Sequence, residues 1–185
     1  NAVGLPLAIK AHVEGNLAEA ARQYERALDQ NKVEPLLFQN YGALLRASGD
    51  EKKAETIYKR GLSLYPNHTD ILPNYANLLR SAGRTSEAFQ CYLTHLHCCR
   101  IADRQKLKIA YTHCIDLLLS QNRVQWALQM IRFAIDELGL CFELLWSLFR
   151  ICNHEGGRSF TDEQQQLVLN TIEVRLETCT PLEKA

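Results

Sequence analysis

The most constraining feature of this chain is a repeat with a fixed period of 34 positions. The segment 39–50, QNYGALLRASGD, returns as PNYANLLRSAGR at 73–84. Six residue pairs are identical across this shift: Asn40 and Asn74, Tyr41 and Tyr75, Leu44 and Leu78, Leu45 and Leu79, Arg46 and Arg80, and Gly49 and Gly83. A period of this length indicates a stack of similar supersecondary units, each of which buries its apolar face against its neighbours.

The unit from 35 to 68 has the pattern of two helices joined by a turn. Its first half carries one apolar stripe at the i, i+3, i+4, i+7 spacing of a helix, formed by Phe38, Tyr41, Gly42 and Leu45. Gly49 predicts the turn, and Pro66 predicts the end of the second helix. The inner side of that second helix consists of Ala54, Tyr58 and Gly61. The unit is therefore predicted to be a helical hairpin.

Three further segments repeat this pattern, at 1–34, 69–102 and 108–141. Gly15 and Gly83 predict the turns of the first and third units. The residues 103–107 are extra, and in the fourth unit Asn122 replaces the turn glycine, because asparagine also tolerates the left-handed conformation. The predicted inner residues are Ala20, Tyr24 and Ala27, then Leu72, Tyr75, Ala76, Leu79, Ala88, Tyr92 and His95, and then Tyr111, Cys114, Ile115, Leu118, Ala127, Ile131 and Ala134.

The period is lost after Gly139, which predicts the end of a helix. Two more helices are predicted, at 142–152 and 161–178, and a capping box of Thr161 and Gln164 opens the second. An array of repeats needs its last apolar face covered. We therefore interpret 1–141 as the array and 142–185 as a degenerate fifth hairpin and capping tail.

The period, the small residues at the helix contacts and the aromatic residues one turn away resemble the tetratricopeptide repeat family. The resemblance is closest in the second and third units and looser in the fourth. His95 departs from the pattern, because the family has a small residue at that place. The resemblance implies an all-α fold, a right-handed α-solenoid of helical hairpins with a C-terminal helical cap, that serves as a protein-interaction module.

Charge and cysteine content exclude several classes of function. Lys and Arg number 21, as do Asp and Glu, and the sequence shows no basic stripe of the kind that binds nucleic acid. It also contains no signal for a membrane partner. Seven cysteines without a CxxC pair predict reduced thiols in a cytoplasmic protein. The chain opens with Asn1, and Met130 is its only methionine, so we expect it to be a piece of a longer protein.

Signals of catalysis are absent from the sequence. It has no phosphate-binding glycine loop, GxSxG or HExxH, so we predict no enzymatic activity in this fragment and no cofactor. In the stretch 91–99, CYLTHLHCC, the residues Cys91, His95 and either Cys98 or Cys99 could share a helical face as metal ligands. Their spacing matches no established zinc pattern, and packing is the commoner role of such side chains, so we predict no metal. A metal-binding helical module is kept as an alternative.

The resemblance also implies that the first helix of each hairpin lines a concave groove. One row of equivalent places in that groove carries asparagine in the second and third units and histidine in the fourth, and a row further along carries arginine. The two asparagines of the row are expected to be exposed in the free protein. An ordinary solvated surface is the alternative interpretation. The candidate partner-binding residues are therefore Asn40, Asn74 and Asn77, Arg46 and Arg80, and His113.

The recurring asparagine, in units that contain NYANLLRSAGR and YPNH, is similar to the repeats that precede the catalytic domain of O-linked N-acetylglucosamine transferases and SPINDLY-like proteins. That resemblance implies that the amides hold the backbone of an extended polypeptide. A carboxamide carries both a donor and an acceptor, so it can pair with a peptide unit whatever its side chain. We predict a protein or peptide partner and a larger parent protein such as a glycosyltransferase. The alternatives are a self-associating scaffold that forms a homodimer and the metal-binding module.

Overall fold

The computed structural model describes residues 4–30, 34–99, 103–139, 141 and 144–148. This part of the chain is helical and contains no strand, and none of its helices combines the length and apolar character needed to cross a membrane. Its long helices are α1 (Gly4–Val13), α2 (Leu17–Asp29), α3 (Pro35–Ala47), α4 (Glu51–Leu64), α5 (Ile71–Ser81), α6 (Thr85–Cys99), α7 (Arg104–Ser120) and α8 (Val124–Leu138). The all-α prediction is confirmed.

The turns inside the four hairpins share one backbone geometry. Each places a residue with positive φ just after the first helix, namely Gly15, Gly49, Gly83 and Asn122. The amide of that residue donates to the carbonyl three residues earlier, and the next amide donates to the carbonyl five residues earlier. In the second hairpin these bonds join Gly49 to Arg46 at 3.1 Å and Asp50 to Leu45 at 2.9 Å. This Schellman pattern satisfies the last helix carbonyls, and the turn predictions are confirmed.

The predicted inner residues of all four hairpins are buried. In the second hairpin two glycines allow α3 and α4 to approach closely. A Cβ added at Gly42 would collide with the ring of Tyr58, and one added at Gly61 would lie 2.7 Å from Cβ of Phe38. The small residues at these contact places therefore set the spacing between the helices, as the sequence pattern predicts.

Helices α1 to α6 lie in the first of two compact units, Asn1–Ala102. The two helices of each hairpin pack against each other. Helix α3 also packs against α1 and α5, so the first helices of the three hairpins form one layer. Aromatic pairs join successive hairpins at equivalent places. The rings of Tyr24 and Tyr41 stack with centroids 5.4 Å apart, and those of Tyr58 and Tyr75 contact at 6.1 Å.

Helices α7 and α8 lie in the second compact unit, Asp103–Ala185. The carboxylate of Asp103 caps α7, because it accepts from the amides of Gln105 at 2.8 Å and Lys106 at 3.3 Å. The extra residues 103–107 therefore extend the first helix of this hairpin at its N-terminus. The guanidinium of Arg104 donates to the carbonyl of Leu138 at 2.6 Å, which ties the start of α7 to the end of α8.

The two predicted C-terminal helices lie outside the described residues except for 144–148. That stretch is helical, and its Leu144, Ser147 and Leu148 are buried. The predicted fifth hairpin at 142–185 and the limits of the array stay predictions.

Candidate polypeptide-binding surface

The candidate surface lies on α3 and α5, which pack side by side. Asn40 and Asn74 occupy equivalent places on these helices and are half-buried, as is Asn77 one turn further along α5. Arg46 and Arg80 lie nearer the ends of the same helices and are exposed. We refer to these five residues as the α3–α5 row.

The Asn40 carboxamide is held by a tyrosine of the preceding hairpin. It forms a side-chain hydrogen bond with the hydroxyl of Tyr24, which also lies 3.3 Å from Nδ1 of His12. Burial raises the pKa of Tyr24, and the bond to Asn40 offsets part of that increase. The bond fixes the carboxamide, whose several donor and acceptor positions leave capacity for a ligand.

The Asn74 carboxamide is held by its own helix instead. Its Nδ2 atom donates to the backbone carbonyl of Asp70 at 3.1 Å. The expectation that Asn40 and Asn74 are exposed was wrong, because both side chains are half-buried and hydrogen-bonded within the chain. The partner of Asn40 is the hydroxyl of Tyr24, and the partner of Asn74 is the backbone carbonyl of Asp70, just before α5.

Asn77 repeats the tyrosine contact within one hairpin. Its Oδ1 atom accepts a hydrogen bond of 2.6 Å from the hydroxyl of Tyr92, which is fully buried in α6. The bond uses an acceptor position, so the two hydrogens of the Asn77 amide group remain for other partners. All three carboxamides of the α3–α5 row are therefore oriented by the chain itself.

The sequence pattern places Tyr24 and Tyr92 in the core, and only the structure shows that their hydroxyls orient the carboxamides. A weak signal exists for Tyr24, since a tyrosine precedes the asparagine by the same interval in Tyr24 and Asn40 and in Tyr58 and Asn74. The interval alone does not predict a bond between the hydroxyl and the carboxamide, because Tyr58 and Asn74 have the same interval and do not form one.

Tyr58 occupies the repeat place of Tyr24, but its hydroxyl has no hydrogen-bond partner among the described residues. The side chain is fully buried, and burial raises the pKa of Tyr58 to about 12. Asn74 stands at the place from which Asn40 bonds to Tyr24, yet it donates to Asp70. The same two repeat places therefore form a bonded pair at one joint between hairpins and not at the next.

We expect Tyr58→Phe to leave the free energy of unfolding unchanged or to raise it slightly, because it removes a buried hydroxyl that has no partner. Tyr92→Phe should lower the same free energy by about 0.5–1.5 kcal/mol, since it breaks the bond to Asn77. Urea denaturation of the two variants measures the difference. An equal loss in both would contradict this account of the Tyr58 hydroxyl.

The remaining candidates differ from the asparagines. The side chains of Arg46 and Arg80 form no salt bridge within the described part of the chain, so their charges are available to a ligand. His113 is half-buried in α7 and belongs to the second compact unit, so we do not count it with the α3–α5 row.

The cysteines and histidine of 91–99 are largely packed. His95 and Cys99 are buried, and Cys91 and Cys98 are half-buried. Burial raises the pKa of the Cys91 and Cys98 thiols, which opposes the thiolate form that a metal requires. Among the residues that the structure describes, no three His, Cys, Asp or Glu side chains are grouped so as to hold a metal ion. The geometry of this stretch gives the metal-binding alternative no support.

Comparison of the sequence with known proteins agrees with this architecture. Residues 35–78 match the family model described as tetratricopeptide repeat. The TPR repeat protein oca3 of Schizosaccharomyces pombe is 34% identical over 88 residues, which cover 48% of this chain. The matched stretch spans only 31% of that relative's length.

The solved structures that are similar in fold include a tetratricopeptide repeat protein and a MamA protein. A tetratricopeptide repeat protein from Parabacteroides merdae has a TM-score of 0.68 at 21% identity, covering 90% of this chain and 63% of that one. MamA from Desulfovibrio magneticus RS-1, from residue 41 to its end, has a TM-score of 0.66 at 16% identity, covering 93% and 90%. At these identities the likeness shows the fold alone, and it confirms the helical solenoid of tetratricopeptide repeat proteins.

Proposed function

We propose, from the tetratricopeptide repeat at 35–78 and from the α3–α5 row, that this chain is an interaction module that binds an extended polypeptide. One observation carries the proposal. A carboxamide stands at the same place on two first helices that pack side by side, and in both cases the chain itself orients it. Oriented amides lose little conformational entropy when a ligand binds.

The spacing of neighbouring helices suits an extended ligand. Packed helices lie about 8–10 Å apart, and an extended chain advances about 3.3 Å per residue. Asn40 and Asn74 would therefore meet peptide units about three residues apart in the ligand. Each carboxamide can donate to a carbonyl and accept from an amide, so this contact selects an extended backbone and not a side-chain sequence. Arg46 and Arg80 would add a preference for acidic residues in the ligand.

The parent protein is a further part of the proposal. A module that accepts many extended sequences suits a larger enzyme that modifies polypeptides, and a glycosyltransferase is the parent that the recurring asparagine favours. The proposed activity of the parent lies outside this chain, which serves as the arm that holds the substrate.

A display library of unstructured twelve-residue peptides tests the binding mode. Selection against the 185-residue chain should yield peptides that share little side-chain sequence. In NMR spectra the carboxamide signals of Asn40, Asn74 and Asn77 should shift on addition of a selected peptide, whereas those of Asn122 in the α7–α8 turn should not. Shifts confined to other surfaces would contradict the proposed site.

A further inference from the structure

The outer face of α8 differs from that of every other second helix in the described hairpins. It carries Trp126, Met130 and Phe133, which we call the α8 stripe. Trp126 is 64% exposed and Phe133 is 61% exposed, while Met130 is half-buried. The same repeat places hold Glu19, Gln23 and Arg26 in α2, Lys53, Ile57 and Arg60 in α4, and Glu87, Cys91 and Thr94 in α6.

Two large aromatic side chains exposed on one helical face indicate an interaction surface, because a monomeric protein gains nothing by keeping them in water. Residues at i, i+4 and i+7 lie on one side of a helix. The stripe extends about 10 Å along α8. A surface of that shape fits one face of a second helix.

Charged residues at the two ends of the stripe identify that helix. Arg123 is the N-cap of α8, and Glu137 lies in its last turn, and both are exposed. A helix favours acidic residues at its N-terminus and basic ones at its C-terminus, and α8 has neither. Both charges are therefore in the less favourable position with respect to their own helix dipole, and an antiparallel neighbour with the same charges would compensate both.

Arg123 and Glu137 each lie seven residues from Met130, and Trp126 and Phe133 lie four and three residues from it. Arg123, Trp126, Met130, Phe133 and Glu137 follow one another at intervals of three, four, three and four residues. We propose that the α8 stripe is the interface between two copies of this chain, with the two α8 helices antiparallel about a two-fold axis at Met130. Arg123 of one copy then faces Glu137 of the other, and Trp126 faces Phe133. Such self-complementarity is what a two-fold interface requires.

Glu137 can serve this contact and its own fold together. One of its oxygens accepts a hydrogen bond of 2.6 Å from the hydroxyl of Tyr111. A carboxylate has two oxygens and can accept more than one bond, so a guanidinium can approach it as well. Arg123 forms no salt bridge within the described part of the chain. The proposal gives a specific interface to the homodimer that sequence analysis keeps as an alternative.

A contact between two single helices is smaller than the roughly 800 Å² per partner of a standard interface, so the dimer should be weak and reversible. Sedimentation equilibrium of the whole chain, from about 1 µM to about 1 mM with reductant to keep the thiols free, measures its dissociation constant. Trp126→Glu should raise that constant at least tenfold without lowering the melting temperature. Lys53→Glu, at the same repeat place in α4, should leave it unchanged.

Charge reversal tests the antiparallel geometry. Arg123→Glu and Glu137→Arg should each raise the dimer dissociation constant at least tenfold, since each places like charges opposite one another. The double variant should restore it to within about threefold, because the pair is rebuilt in reverse. Glu137→Arg also breaks the Tyr111 bond, but that loss cannot produce a restoration. A monomer at every concentration, or a double variant as weak as the single ones, would overturn the proposal.

Discussion

Replacing Tyr41 with alanine should lower the free energy of unfolding by about 3–5 kcal/mol, as other truncations of buried aromatic residues do. Tyr41 is only 3% exposed. Its ring stacks on Tyr24 of the preceding hairpin, and its hydroxyl donates to Oε1 of Glu25 at 2.9 Å. The change therefore leaves a cavity at the joint between two hairpins. Urea denaturation followed by circular dichroism measures the loss of unfolding free energy.

Tyr41→Phe is the matched control for that variant. It keeps the ring and loses only the bond to Glu25, so the loss of stability should be about 1 kcal/mol. A loss below about 1 kcal/mol for Tyr41→Ala as well would mean that the hairpins are not joined through this ring.

The double variant Asn40→Ala, Asn74→Ala should bind a selected peptide several-fold to about a hundredfold more weakly. Each lost hydrogen bond is worth about 0.5–1.5 kcal/mol, and each 1.4 kcal/mol changes the Kd tenfold. Isothermal titration calorimetry measures the affinity. Unchanged affinity would indicate that the α3–α5 row is an ordinary solvated surface, which is the alternative interpretation.

Stability separates the binding role of the two asparagines from a structural one. Asn40→Ala removes a partner of the Tyr24 hydroxyl, which keeps the neighbouring Nδ1 of His12 at 3.3 Å. Among the described residues, Asn74→Ala removes the hydrogen bond to the Asp70 carbonyl. The double variant should therefore lose about 1 kcal/mol of stability, well below the loss for Tyr41→Ala. A comparable loss would indicate that the asparagines mainly hold the hairpins together.

The hairpins could be predicted because their determinants are local and recur. Ala54, Tyr58 and Gly61 fall on one side of a helix whatever the rest of the chain does, and Gly49 can adopt the left-handed conformation that the turn requires. The period then repeats these signals, and each repetition strengthens the prediction. The fifth hairpin lacked such repetition and stays a prediction.

The hydrogen bonds of the row could not be predicted from the period. Asn40 and Asn74 occupy the same repeat place, yet one bonds to a tyrosine of the preceding hairpin and the other to a carbonyl of its own helix. Likewise Tyr41 donates to Glu25, whereas Tyr75 donates to Glu55, which lies elsewhere in its repeat. Side-chain rotamers and non-local neighbours decide these bonds.

The exposure of the α8 stripe follows from the helical pattern of its neighbours in the sequence. Once Ala127, Ile131 and Ala134 are assigned to the inner side of the helix, Trp126 and Phe133 must lie on another side. Their exposure followed from the pattern, but aromatic residues in a helix are usually assigned to the core. Comparison of equivalent places in the four hairpins would have identified them.

The central claim is that carboxamides of the α3–α5 row hold the backbone of an extended polypeptide. A direct test uses a selected peptide and analogues in which one backbone amide after another is replaced by an ester, which removes the N–H donor. Affinities for the native chain and for Asn74→Ala form a double-mutant cycle. At one position the ester should weaken binding to the native chain about two- to tenfold and leave binding to Asn74→Ala unchanged. Equal losses in both proteins at every position would contradict the claim.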